Sequence, residues 1–310
     1  MRRFVILFAI LNVLGCTQKQ SGSATRGTIT LMATESLAPL IQREAEEFHR
    51  LYTEANVTVL STSTRDAIVS MFNDSVKLVI VDRPLNAEEQ QVAKSAGIDV
   101  VRNKVAVDAL AVIVNNRNRL EHTSLDTLES ILTRAVLAWN DLPESRTRGR
   151  IELALTGRNS GAYELLVSHF FTITKPIVPD YVAEKQERVL QYTATHANAI
   201  GVVSLAALDT TDQPGLQELK ASVHILSLRG RDSLNRSGYM KLHQANVYRE
   251  LYPLHYPLYI YTTASSASVA AGFSAFIAST PGQKIFLNAG LVPATMPVRL
   301  VQTTQEQLPQ

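Results

Sequence analysis

The densest set of groups that could do chemistry lies in one turn, Thr156-Gly157-Arg158-Asn159-Ser160-Gly161-Ala162. A strand-like run (151–155) enters it, and helical spacing follows over 163–171, with Leu165, Leu166, His169 and Phe170 on one face. Ser160 and Gly161 thus fall where a helix begins, among backbone N–H groups that have no carbonyl partner. Such a terminus attracts anions, and Arg158 adds a planar fork of donors suited to an oxyanion. The same residues also read as an ordinary capped helix with a surface arginine. Two further strand-to-helix junctions repeat the pattern. Thr34-Glu35-Ser36 joins a strand at 29–33 to a helix carrying Leu37, Leu40, Ile41, Ala45, Phe48 and Leu51. Ser61-Thr62-Ser63-Thr64 joins a strand at 57–60 to a helix burying Ile68, Met71 and Phe72. A fourth strand end carries Asp82-Arg83 after the continuous apolar run 78–81, as in a strand buried on both faces of an α/β sheet. Ligands of open α/β sheets bind at the carboxyl ends of strands, so this pair either faces a ligand or forms a local ion pair.

The elements that must position these groups alternate along the chain. Two extended segments, 100–107 and 108–115, are followed by a helix over 125–132 and by Trp139, read as packing. Residues 183–196 read as a helix and 198–203 as a turn into a strand, whereas 209–220 and 229–239 read as polar and irregular. A proline-punctuated strand over 252–261 and two helices, 266–277 and one entered through Pro281-Gly282-Gln283, complete the series. Strands alternating with helices indicate an α/β class. Enzymatic signatures are missing from the pattern. The histidines (49, 122, 169, 196, 224, 243 and 255) form no close pair or metal-ligand cluster, and no Gly-x-Ser-x-Gly elbow or Gly-Lys-Ser/Thr phosphate loop occurs. The expectation is a non-catalytic chain with no cofactor and no metal.

Composition narrows the setting. Arg2 and Arg3 precede an apolar run (4–14) too short to span a bilayer, and Val13-Leu14-Gly15-Cys16 resembles a lipobox, which implies lipidation at Cys16, the one cysteine. Residues 1–15 then read as a signal peptide, 16–27 as lipid anchor and tether, and 302–310 as a polar tail. The expected location is the cell envelope, facing the periplasm or exterior and held at the membrane by lipid. The whole chain has 30 basic and 28 acidic residues; without the two arginines of 1–15 the balance is 28 to 28. No basic surface for nucleic acid follows, so anion recognition must come from a focused site.

In their shared order these segments resemble the PstS-like family, phosphate-binding proteins that deliver substrate to ABC importers, in its lipoprotein branch. The marks run from Glu35-Ser36-Leu37-Ala38-Pro39-Leu40 through Asp82-Arg83-Pro84-Leu85 with Glu89, Asp108 to Asn115, the surroundings of Trp139, and Arg158 with Ser160-Gly161. Asn198 to Val202, Tyr256-Pro257-Leu258 and Gly282-Gln283 before Gly290-Leu291-Val292-Pro293 complete them. The resemblance implies a two-lobed periplasmic-binding-protein-like fold of class II type, with lobe one at 28–107 plus 256–301, lobe two at 108–255, and hinge closure on an anion in the cleft. It implies a monomer that meets an ABC transporter permease and binds phosphate or a similar oxyanion. Carried over, Ser36 and Leu37 supply the first helix start, Ser63 and Thr64 the second, and Arg158, Ser160, Gly161 and Ala162 the third. Asp82 is the carboxylate, and Arg83 supplies compensating charge. The chain departs from the family in four places. Ala162 replaces the usual threonine, the Arg158–Ser160 spacing is two residues shorter, Lys77 replaces an aspartate, and residues 61–66 lack glycine. Glu35 adds an acid beside the implied anion, and it must turn away or bond elsewhere.

Overall fold

The computed structural model describes residues 23–170, 177–209, 214–231 and 238–295. The signal segment, Cys16, most of the tether and the tail 302–310 lie outside the described residues.

In chain order the elements are β1 (Gly27–Thr34), α1 (Ala38–Leu51), β2 (Ala55–Thr62), α2 (Thr64–Phe72), β3 (Leu78–Val81) and α3 (Ala87–Ser95). There follow β4 (Val101–Asn115), β5 (His122–Ser124), α4 (Leu125–Leu132), β6 (Glu152–Thr156), α5 (Gly161–His169) and β7 (Tyr181–Ala183). Then come α6 (Gln186–Thr195), β8 (Ala199–Ser204), α7 (Pro214–Ala221), β9 (Val223–Ile225), β10 (Ser227–Arg229) and α8 (Gln244–Tyr248). The last described elements are β11 (His255–Thr262), α9 (Val269–Ala278), α10 (Thr280–Asn288) and β12 (Val292–Pro293).

β1 pairs in parallel with β2 along its whole length and with β3 on its other side, with α1 and α2 as the crossovers. The β3 run Leu-Val-Ile-Val is buried at every position, as its unbroken apolar sequence requires. The main sheet runs β2-β1-β3-β11-β4-β8-β6-β7. β4 holds its two halves together. Its first part lies antiparallel to β11 and β12, and its second part lies antiparallel to β8 and β9. The two segments expected at 100–107 and 108–115 are therefore one strand of 15 residues that changes partners midway. No proline or glycine interrupts it, so the backbone stays extended while its neighbours change. The parallel pair of β6 with β7 in the second half places its strand ends toward the same cleft as those of β1, β2 and β3.

The largest hydrophobic cluster includes faces of α1, α9 and α10, where Phe48 meets Phe273 and Phe276 at ring-centroid distances of 5.3 and 5.4 Å. The α1 periodicity read from the sequence places Leu40, Ile41, Ala45 and Phe48 in this core, while Leu51 is 44% exposed. Trp139 is wholly buried and donates its indole N–H to the Asn198 carbonyl at 3.0 Å, a packing residue as its surroundings suggested. The irregular reading of 209–220 is corrected by α7. That helix opens on proline and buries only Leu216 fully, too short a stripe to stand out from its polar neighbours.

Candidate functional site

The three hydroxyl-rich junctions and the β3 end converge. One cavity of about 460 Å³ is lined by Thr34, Glu35 and Ser36 after β1, Thr62, Ser63 and Thr64 after β2, and Asp82 after β3. The opposite wall is the 157–161 turn after β6 and the 182–186 segment between β7 and α6. Seven of the ten residues expected at the site thus share one cavity: Ser36, Ser63, Thr64, Asp82, Arg158, Ser160 and Gly161. Each arrives at the end of a parallel strand, where the chain turns into a helix and exposes the first-turn N–H groups.

Asp82 is the best-placed group. Its side chain is buried and Oδ1 accepts the Thr64 hydroxyl at 2.6 Å. Burial raises its pKa, while the bond from Thr64 opposes the rise. The carboxylate stands directly against the first residue of α5. A Cβ built on Gly161 would lie 1.8 Å from Asp82 Oδ1, so only glycine permits this approach. At α5 the Ser160 hydroxyl accepts the Tyr163 N–H at 3.2 Å and bonds with the Thr156 hydroxyl at 2.6 Å, so its side chain caps the helix. Ser63 plays the same part at α2, where its hydroxyl oxygen accepts the Asp66 N–H at 3.1 Å. Arg158 is exposed on the rim and makes no hydrogen bond or ion pair among the described residues, which leaves its whole fork for a ligand.

Three expected site residues stand apart from the cavity wall. The Leu37 side chain is wholly buried and its N–H is taken by the Thr34 carbonyl at 2.9 Å, so it sets the start of α1 without offering a free donor. Ala162 is buried in the main core. Arg83 points away from the cavity. It grips Glu89 through two bonds, 2.7 and 2.8 Å, donates to the Pro84 carbonyl at 2.9 Å, and pairs with Glu164 of α5. Arg83 therefore forms no ion pair with its neighbour Asp82; its partners are Glu89 and Glu164, and the pair with Glu164 ties the β3 end to the second half of the molecule. Glu89 also caps α3 through the Asn86 N–H.

Thr34 joins the site as well, though the sequence does not mark it as such. Its hydroxyl and that of Ser36 are buried, line the cavity and lack a hydrogen-bond partner. Unpaired buried hydroxyls cost stability unless something answers them. The hydroxyl pattern Thr-Glu-Ser was visible in sequence, but nothing there separates a capping hydroxyl from an unpaired one. Behind the cavity, Asp108 is wholly buried on β4, accepts the Ala109 N–H at 2.6 Å and the Tyr256 hydroxyl at 3.1 Å, and is pushed by burial to about 7. Tyr256 faces it across the β11–β4 pairing, at the point where β4 changes partners. Among the described residues no group of three or more His, Cys, Asp or Glu side chains is arranged to hold a metal ion.

A two-lobed sheet with hydroxyls, helix N-termini and a buried carboxylate around a central cleft is the arrangement of a solute-binding fold. The chain belongs to the PBP superfamily: the model of the PBP superfamily domain matches residues 18–281. It is similar to the phosphate-binding protein PstS of Pseudomonas aeruginosa, 23% identical over 309 residues that cover 93% of this chain and 89% of that protein. Among solved structures, a Clostridium perfringens protein with bound phosphate matches at a TM-score of 0.72 and 17% identity, covering 86% of this chain and 100% of that one. An ABC-type phosphate transport receptor from Vibrio cholerae matches at 0.65 and 19% identity, covering 87% and 100%.

Proposed function

We propose that this chain binds inorganic phosphate in the cleft and presents it to an ABC importer, without catalysis. The observation that carries the reading is Asp82, a buried carboxylate at a cavity whose wall also brings hydroxyls, helix starts and Arg158, with Glu35, Glu184 and Lys185 beside them. An ionised carboxylate only accepts hydrogen bonds. Hydrogen phosphate brings a proton to it, whereas fully ionised sulfate brings only further acceptors and is repelled. Arg158 and the first-turn N–H groups of α2 and α5 supply charge-assisted donors that offset the anion's lost hydration. Thr34 and Ser36 add the two hydroxyls that lack partners. The naming of the Pseudomonas and Vibrio proteins for phosphate supports the same ligand.

In this reading 28–107 plus 256–301 form one lobe, 108–255 form the other, and the crossings of β4 and β11 between them are the hinge. Cys16 carries the lipid, the mature chain works as a monomer at the envelope membrane, and its partner is the importer's permease. Among the described residues no helix is long and apolar enough to cross a membrane. Thermal unfolding after removal of bound anion tests the ligand: phosphate, sulfate, molybdate and glycerol phosphate are added separately at matched ionic strength. A ligand at 100 times its Kd adds about 2.7 kcal/mol and raises the midpoint by several degrees. A rise with phosphate alone supports the reading. A rise with another anion, and none with phosphate, replaces the ligand.

A further inference from the structure

Besides Asp82 the cavity wall carries Glu35 and the exposed Glu184, and the phosphate reading uses neither. Glu35 lies in the loop between β1 and α1, yet its Oε1 accepts the N–H of Gln186, the first residue of α6 on the opposite wall, at 3.0 Å. Lys185, at the cap position of α6, offers no side-chain cap, so the cap comes from across the cleft. Glu35 Oε2 makes no hydrogen bond to a described residue, which leaves that oxygen for solvent or ligand. Glu35 also lines the neighbouring cavity of about 240 Å³, together with Ser36 and Lys185, so it stands at the junction of the two spaces.

Resting on the anion-site reading above, we propose that Glu35 is a ligand-binding residue of the cleft that takes up a proton from solvent as the anion enters. The site would then bind its anion with net proton uptake. The step moves one proton from bulk water or buffer to Oε2 and changes no other covalent bond. Its cause is charge crowding. Asp82 faces the cavity as a buried carboxyl and Glu184 stands exposed on its wall, so an entering anion and an ionised Glu35 would add two further negative centres. Protonation removes that repulsion and turns Oε2 from an acceptor into a donor toward the anion. Oε1 keeps the Gln186 N–H in either state.

The surroundings make the proton easy to gain. Burial pushes Glu35 up to about 7, and the charges of Asp82 and Glu187 push the same way. The Gln186 N–H and Lys185 oppose them. Arg43, on the wall of the neighbouring cavity, is paired with Asp209. Arg158 and Glu184 stand on the wall of the main cavity. Near neutral pH the free protein is therefore about half protonated at Glu35, and an added negative charge completes the titration.

Glu35→Gln is the informative variant, because it is neutral like the protonated acid and keeps a carbonyl acceptor for Gln186. Phosphate binding is measured calorimetrically on the purified protein and on E35Q, from pH 6 to pH 8, in two buffers of different ionisation enthalpy. Phosphate's own titration is common to both proteins and cancels in the difference. The proposal expects wild type to take up about half a proton more than E35Q at pH 7. It also expects the wild-type to E35Q affinity ratio to fall about tenfold between pH 6 and pH 8. Equal proton uptake with a flat ratio overturns the proposal and leaves the phosphate reading standing, as does a folded E35Q that no longer binds. Failure of both proteins to bind phosphate overturns the phosphate reading and the proposal together. Infrared difference spectra of the wild-type chain, phosphate-bound minus free at pH 7.5, give a reading independent of the variant. A gained protonated-carboxyl band, absent when the same difference is taken with a chain lacking Glu35, is expected; no gained band overturns the proposal.

Discussion

Glu44 is a buried carboxyl without a hydrogen-bond partner, and replacing it should change stability in a pH-dependent way. It sits on the buried face of α1, is 0% exposed, and neither carboxyl oxygen has a hydrogen-bond partner. Burial pushes its pKa from 4.5 to about 9, with Arg43 opposing and Glu47 assisting. The sign follows from proton counting. Between the two values the unfolded chain has released the proton and the folded chain has kept it, so stability falls as pH rises through that window. The slope is about 1.4 kcal/mol per pH unit, so from pH 5 to pH 7.5 Glu44 costs the native state about 3 kcal/mol. Glu44→Gln removes the titration but leaves a buried amide whose unmet bonds cost about 1–3 kcal/mol at every pH. The informative quantity is therefore the difference between variant and parent as a function of pH. Urea midpoints and thermal midpoints at pH 5, 6 and 7.5 should show E44Q gaining on the parent by about 3 kcal/mol in all, roughly 5–10 °C in midpoint. A difference that stays constant across this range would refute the reasoning, because it would mean that Glu44 ionises as readily in the folded chain as in the unfolded one.

Other substitutions separate the roles assigned to the cleft. Asp82→Asn replaces a pure acceptor with a group that can also donate, so the preference for phosphate over sulfate should fall about 10–100-fold in competition binding, with the fold retained. Arg158→Ala should weaken phosphate by about 1.5–3 kcal/mol in calorimetry without moving the unfolding midpoint, since Arg158 is exposed and makes no bond among the described residues; unchanged affinity would remove it from the site. Gly161→Ala drives a methyl group into the buried Asp82 carboxylate, so phosphate affinity should fall more than about tenfold and stability by about 1–3 kcal/mol, read by the same two methods.

Much of this site was legible in the chain because strand-to-helix junctions announce themselves. The apolar run 78–81 is β3 with the bounds read from the sequence, and the capping serines Ser63 and Ser160 stand at the helix starts where hydroxyl preference put them. The α1 stripe and the helix at 125–132 were equally plain, since each repeats its apolar residues at helical spacing. What escaped depended on tertiary partners. Arg83 has the composition of an anion ligand, but Glu89 and Glu164 claim it, and Glu164 lies 81 positions further on. Gly161 reads in the sequence as part of a helix start that could take an anion; the carboxylate standing against its Cα in the fold is Asp82. Glu35 reaches a helix start 151 positions away, and no local pattern encodes that bond. β4 reads as two segments, yet its backbone does not break; its neighbours change between Ala109 and Leu110, which no local pattern marks. α7 was hidden by having a single fully buried residue.

The most direct test of the account is equilibrium dialysis of the purified, anion-stripped protein against radiolabelled phosphate, with and without a large excess of unlabelled sulfate. The account requires saturable binding of one phosphate per chain that sulfate does not displace, because Asp82 accepts the proton that phosphate carries and sulfate lacks. Binding that sulfate displaces at comparable concentration, or a folded chain that retains no phosphate, would contradict it.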